Sequence, residues 1–198
     1  MKDPGMLRIA ILFSFAITAV AQSPRNAAPS GPGSPFSVAI DAEITKIETQ
    51  FVAVAEAMPE DKFNFSPENL NVQGTELKGV RTFAAQVRHV AADNFAIWAP
   101  MTGKPEPEGI KAPNGPEEMK SRQEILKFLR DSFAYSHKAV LGLTSENALE
   151  LVEFRGSKVT RISLAFLALT HVNDHYGQMV VYLRMCGVVP PGSRPRPR

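Results

Sequence analysis

The stretch Arg161-Ile-Ser-Leu-Ala-Phe-Leu-Ala-Leu-Thr-His171-Val-Asn-Asp-His175-Tyr-Gly-Gln178-Met-Val-Val-Tyr182-Leu-Arg-Met-Cys-Gly187-Val188 decides how this chain is read. It has no internal proline, and its apolar residues recur at steps of three and four, so it predicts one long helix over 161–188. Gly187 and the pair Pro190-Pro191 supply the stop. Apolar side chains lie on more than one side, which makes this helix the expected central member of the fold. His171 and His175 stand four apart within it. Their imidazoles therefore project from one face, about 6 Å apart at Cβ, near enough to grip one divalent ion. Leu164, Leu167, Ala168, Gln178 and Tyr182 share that face, so the pair meets packing rather than open water. Two satisfied core or groove histidines fit the same spacing.

Three other stretches carry the same period. Ile40, Ile44, Ile47, Phe51 and Val54 form one stripe that predicts a helix over 37–57, closed by Pro59. Phe83, Val87, Val90 and Trp98 stripe a second helix over 80–99, and Pro100, Pro105, Pro107, Pro113 and Pro116 forbid helix in the segment that follows. Leu126, Leu129, Phe133 and Val140 stripe a third over 117–143. Between 144 and 160, Glu150-Leu-Val-Glu-Phe154 followed by Arg155-Gly156-Ser157 suits a short irregular hairpin. Four helices of this length suit an all-α four-helix bundle, with links long enough for a crossover connection.

The composition bounds the rest. The chain has 198 residues, 44% of them hydrophobic, and a formal charge of +2, which suits one core and leaves no electrostatic footprint for nucleic acid. The one cysteine, Cys186, excludes an internal disulfide and any multi-cysteine metal site, and reads as a core or groove residue. No apolar run reaches a membrane span. Lys2 and Arg8 precede a weakly polar-to-apolar run over 9–20, and Ala19-Val20-Ala21 offers a small-x-small cleavage site. Residues 1–21 thus read as a signal peptide cleaved after Ala21, with Met1 or Met6 as the start, and the mature chain as secreted or periplasmic. A Pro/Ser/Gly-rich spacer over 22–35, the bundle domain over 36–191 and an Arg/Pro-rich tail over 192–198 complete the organisation.

Only four histidines are present, so a third ligand has two candidates. His137, beside Lys138, sits at the edge of its stripe and reads as a structural residue with a polar tip in water. His89 is the better candidate. It lies on a stripe of small residues, Thr82, Ala85, Ala92 and Ala96, which either let a neighbouring helix pack closely or leave a pocket around the ring. Asp93, one turn beyond His89, either orients that imidazole or is a solvated surface charge. Other metal sites fail on residues. A di-iron bundle needs Glu where Gln86 and Ala134 stand, and the zinc-protease motif needs Glu at Val172. The inverted protease motif finds only the shorter carboxylate of Asp174.

The stretch from His171 to Pro191, with His171, His175, Gln178, Gly187 and the closing Pro190-Pro191, resembles the last-helix signature of the DinB family of damage-inducible-type proteins. Phe83-Ala-Ala-Gln-Val-Arg-His89-Val-Ala-Ala-Asp-Asn94 is similar to its second-helix signature, and Met58-Pro-Glu-Asp-Lys-Phe-Asn-Phe-Ser-Pro67 to a link found in one branch. The resemblance implies a four-helix bundle, often a homodimer, whose divalent metal is held by three histidines, here His89, His171 and His175. Some relatives are thiol S-transferases or thiol-dependent isomerases; this chain departs from them in its export signal. Three neutral imidazoles leave an open coordination position, the arrangement of catalytic zinc sites, which suits a metal-dependent hydrolase or a thiol transferase acting on a small molecule. Zinc and nickel lead the candidates, with iron and copper behind. No general-base Glu accompanies the set, so the catalytic residues are unassigned. Gln178 and Asp93 could position substrate or pack the helices, and Arg184 could meet an anion or serve the helix end. A non-catalytic metal-binding or interaction bundle is the alternative.

Overall fold

The computed structural model describes residues 33–195; the predicted signal sequence, most of the spacer and the last three tail residues lie outside them. Four helices carry the fold: α1 (Pro35–Ala57), α2 (Phe83–Thr102), α3 (Arg122–Val140) and α4 (Arg161–Met185). A hairpin of β1 (Leu151–Phe154) and β2 (Ser157–Thr160) precedes α4. No helix among the described residues is long and apolar enough to cross a membrane.

Each helix starts where a hydroxyl side chain caps it. Ser34, Thr82, Ser121 and Thr160 accept from the backbone N–H groups of Ser37, Ala85, Glu124 and Ser163. Ser121 and Glu124 form a reciprocal capping box, which begins α3 at Arg122 rather than at the expected 117. At the far end of α2 the expectation of a stop at Ala99 also fails. Pro100 lies inside the last turn, where it forfeits one hydrogen bond near the end of the ladder, and Gly103 then closes the helix with its N–H on the Pro100 carbonyl. Gly187 (φ 72°) ends α4 with paired bonds, its N–H to Arg184 and that of Val188 to Leu183, three residues before the predicted end.

The helices pack in a ring. α2 lies against α3 and α4, and α1 lies against the same two, so the order around the bundle is α1–α3–α2–α4. Helices adjacent in sequence, α1 with α2 and α3 with α4, thus occupy opposite corners, and the links 58–82 and 141–160 cross over. Phe51, Phe63, Phe83, Trp98, Leu129, Phe133 and Leu164 fill the interior. The central helix is α2 and not α4. Sixteen of the twenty residues of α2 are buried, against eight of 25 in α4, because α2 is covered both by its helical neighbours and by the 103–121 link. The second apolar side of α4 stays outside, with Phe166, Leu167, Val181 and Met185 exposed.

Candidate metal centre

The ring order sets α2 beside α4, and the three histidines face one another across that seam. His89 comes from the middle of α2, and His171 and His175 from consecutive turns of α4. Nε2 of His89 lies 3.1 Å from Nε2 of His175 and 3.1 Å from Nε2 of His171. The rings meet edge to face, with centroids 4.6–5.0 Å apart. His89 and His175 are each only 7% exposed. Asp41, Glu48 and His137 gather elsewhere, between α1 and α3.

A strap from the 103–121 link holds His89 in place. Its Nδ1 donates to the Pro113 carbonyl, which leaves the lone pair on Nε2, aimed at the other two rings. The strap is seated by Arg88, whose guanidinium donates to the Met119 carbonyl at 3.0 Å, and by the approach of Gly115. A Cβ at Gly115 would lie 3.1 Å from the Arg88 carbonyl oxygen, and its φ of +75° already favours glycine.

Three Nε2 atoms this close pose an electrostatic problem that hydrogen bonds among them cannot solve. His89 offers a single lone pair, so it accepts from one neighbour and leaves the other nitrogen opposed. A cation at the point of convergence takes all three lone pairs. Imidazole nitrogens about 2.05 Å from a tetrahedral ion stand about 3.3 Å from one another, close to the 3.1 Å that separates His89 Nε2 from each of the other two. The electrostatics keep the rings ready. Burial, and then the neighbouring imidazoles, lower His171 and His175 to pKa values of about 4, and burial lowers His89 as well. At neutral pH no proton competes for the ligand positions. The donor set therefore fits a divalent ion.

Asp93 adds a carboxylate beside this point. It is 3% exposed, so it is not a solvated surface charge, and it does not orient His89, whose outer nitrogen goes to Pro113. Its Oδ2 lies 3.4 Å from His171 Nε2, and its Oδ1 accepts from Arg155 Nη2 at 2.6 Å. Gln178 is engaged in packing: Gln86 donates to it, and it donates to Asp174, both at 2.9 Å. Arg184 donates to Ser193 at the helix end. Cys186 sits at the C-cap of α4, its thiol pushed up by burial. Pro113 and Arg155 were outside the reach of sequence reasoning, since a carbonyl and a hairpin tip carry no spacing signal toward His89.

Two clefts flank the centre. One of about 590 Å³ is lined by Arg81, Ala85, Gln86, Arg88, Asn114 and Gln178, so it begins one helical turn from His89 and His175. The other, about 440 Å³, is lined by Ala96, Lys104, Glu106, Pro113, Phe154 and Arg155. Consecutive strap residues Pro113 and Asn114 face different clefts, so the strap passes between them. Burial raises the Glu106 carboxyl in the second cleft. The imidazoles themselves line neither cleft.

The class is thus defined by fold and site together: a four-helix bundle with crossover links and three histidines, one from α2 and two from α4, able to hold one metal ion. The sequence matches the DinB superfamily over residues 43–179, and the chain belongs to that superfamily. Its fold is similar to that of a DinB-like protein from Bacillus cereus ATCC 10987, at TM-score 0.62 and 17% identity over 78% of this chain and 95% of the other. It is also similar to the DinB-like protein YjoA from Bacillus subtilis, at TM-score 0.59 and 19% identity over 80% of this chain and 99% of that one. No curated protein matches the sequence significantly.

Proposed function

We propose that the protein is an exported metal-dependent enzyme, a hydrolase or a thiol S-transferase acting on a small molecule, whose divalent ion is held by His89, His171 and His175. The observation that carries this reading is the convergence of three Nε2 atoms, with the His89 lone pair aimed inward by the Pro113 carbonyl. An all-imidazole set suits zinc or nickel first, and iron or copper next. When bound, the ion supplies Lewis acidity, which brings the pKa of a water or a thiol toward neutrality and makes a nucleophile of it. The chain's own residues supply the surroundings. The three rings would leave one position of a four-coordinate ion open. Asp93 Oδ2 offers a hydrogen-bond acceptor beside that position. The cleft carrying Arg81, Arg88 and Glu117 offers a substrate room beside the centre.

A non-catalytic metal-binding bundle is the second reading, favoured by the burial of His89 and His175 away from both clefts. One preparation tests the metal and the export together. The full chain is expressed with its leader, recovered outside the cytoplasm with Gln22 as its first residue, and analysed for metal without exposure to chelators. It should carry about one divalent ion per chain, and His171→Ala should lose it. Metal-free wild-type protein refutes the centre, and retention of the leader refutes the export. Turnover of thioester, ester or thiol-transfer substrates by the loaded protein then separates enzyme from binder.

A further inference from the structure

We propose that Arg155 is a positioning residue of the metal centre: from the hairpin tip it holds the Asp93 carboxylate beside the three imidazoles and keeps it from becoming a fourth protein ligand. The inference rests on the metal reading above and deepens it, because it says why the site stays open.

The hairpin is built around this arm. Phe154 pairs with Ser157, so Arg155 and Gly156 alone make the turn, with φ of +49° and +79°. Both values positive define the tight turn whose first position favours Asn, Asp or Gly. Arginine there has a Cβ in the left-handed region and no short polar group to bond its own backbone, so the turn chemistry alone does not select it. Its guanidinium reaches out of the hairpin into the bundle. It donates through Nη2 to Asp93 Oδ1 at 2.6 Å and lies 5.0 Å from the centroid of the Phe154 ring, so two contacts set its direction.

Asp93 needs such a partner. Its side chain is 5% exposed, whereas that of Arg155 is half exposed, so the carboxylate has given up water and the guanidinium has not. A buried carboxylate stays charged at low cost where a cation pairs with it. Among the described residues Arg155 is the one arginine or lysine in ion-pair contact with it; the other contact, at 3.4 Å, is His171 Nε2, which points to where a metal would sit. A metal ion bound by the imidazoles would therefore compete with Arg155 for one carboxylate. With Oδ1 engaged by Arg155, Oδ2 faces the centre as an acceptor for whatever fills the open position. Without Arg155, the ion is the remaining cation in reach, and coordination by Asp93 would close the site with four protein ligands, the pattern of structural rather than catalytic metal.

Cobalt(II) tests this on the full protein, since the intensity and position of its visible bands report its ligands, and azide probes the open position. Arg155→Asn is the variant of choice, because asparagine suits the turn and the hairpin survives; Arg155→Gln replaces it with the same readouts should Arg155→Asn be insoluble. The expected result is an altered cobalt spectrum and azide affinity lower by about tenfold or more as a fourth protein ligand takes the open place. Adding Asp93→Asn to the variant should restore both the wild-type spectrum and azide binding, which a purely structural role for Arg155 would not do. An Arg155→Asn protein that binds cobalt and azide as the wild type does overturns the proposal while leaving the metal centre standing. Wild-type protein that takes up no cobalt overturns both.

Discussion

Two imidazoles with pKa values near 4 behave differently from histidines in water, and metal binding reports the difference directly. Three histidines with the ordinary value of 6.5 would release about two protons on binding an ion at pH 6. His171 and His175 are already neutral there, so titration calorimetry in buffers of different ionisation enthalpy should find well under one proton released by the pair. The share of the pH dependence of metal affinity that comes from His171 and His175 should accordingly be small from pH 8 down to about 5 and grow only as the pH nears 4. Release of two protons would show that the rings are solvated and the packing around them wrong. At this scale the spacing of His171 and His175 was open to reading, because a helix puts residues four apart on one face. The assignment of Asp93 was not. Whether a carboxylate one turn from His89 meets water, His89 or His171 depends on what lies across the seam, and here Arg155 and α4 lie there.

Between elements, His137 does more than show a polar tip to water. On α3, its Nδ1 lies 2.6 Å from Asp41 and its Nε2 2.9 Å from Glu48, both on α1, so one imidazole bridges two turns of the neighbouring helix. Burial alone would lower its pKa, but the two carboxylate hydrogen bonds outweigh that and raise it. A raised folded value means the charged ring is bound in the native state. Its contribution is complete below the unfolded value of about 6.5 and disappears as pH rises through the folded value. His137→Gln should therefore cost about 0.5–1 kcal/mol at pH 6 and little at pH 9, measured by urea unfolding at both. A cost that grows with pH would reverse this assignment. Elements were largely legible: all four helices, their stripes and the hairpin follow from local period and turn residues. The errors fell at ends, as at α3, where the capping box outranked the stripe, and at Pro100, which a last turn tolerates.

At the scale of the whole molecule, α4 carries apolar residues on two sides and the bundle covers only one of them. Phe166, Leu167, Val181 and Met185 stay exposed although they belong to the helix that bears two of the histidines. The homodimer that the family resemblance implies would cover them. Sedimentation equilibrium at micromolar concentration should show a dimer, and Val181→Glu should shift it to monomer without lowering helicity. A monomeric wild type would rule this out.

What the sequence determined by itself was local: which segments coil, and that His171 and His175 share a face, since both repeat within a turn or two of one helix. The tertiary structure alone decided that α2 rather than α4 is central, that His89 meets the pair at 3.1 Å, and that Pro113, Asp93 and Arg155 surround them. Those contacts join residues far apart in the chain, and a period of 3.6 residues carries no information about which face of one helix will find which face of another.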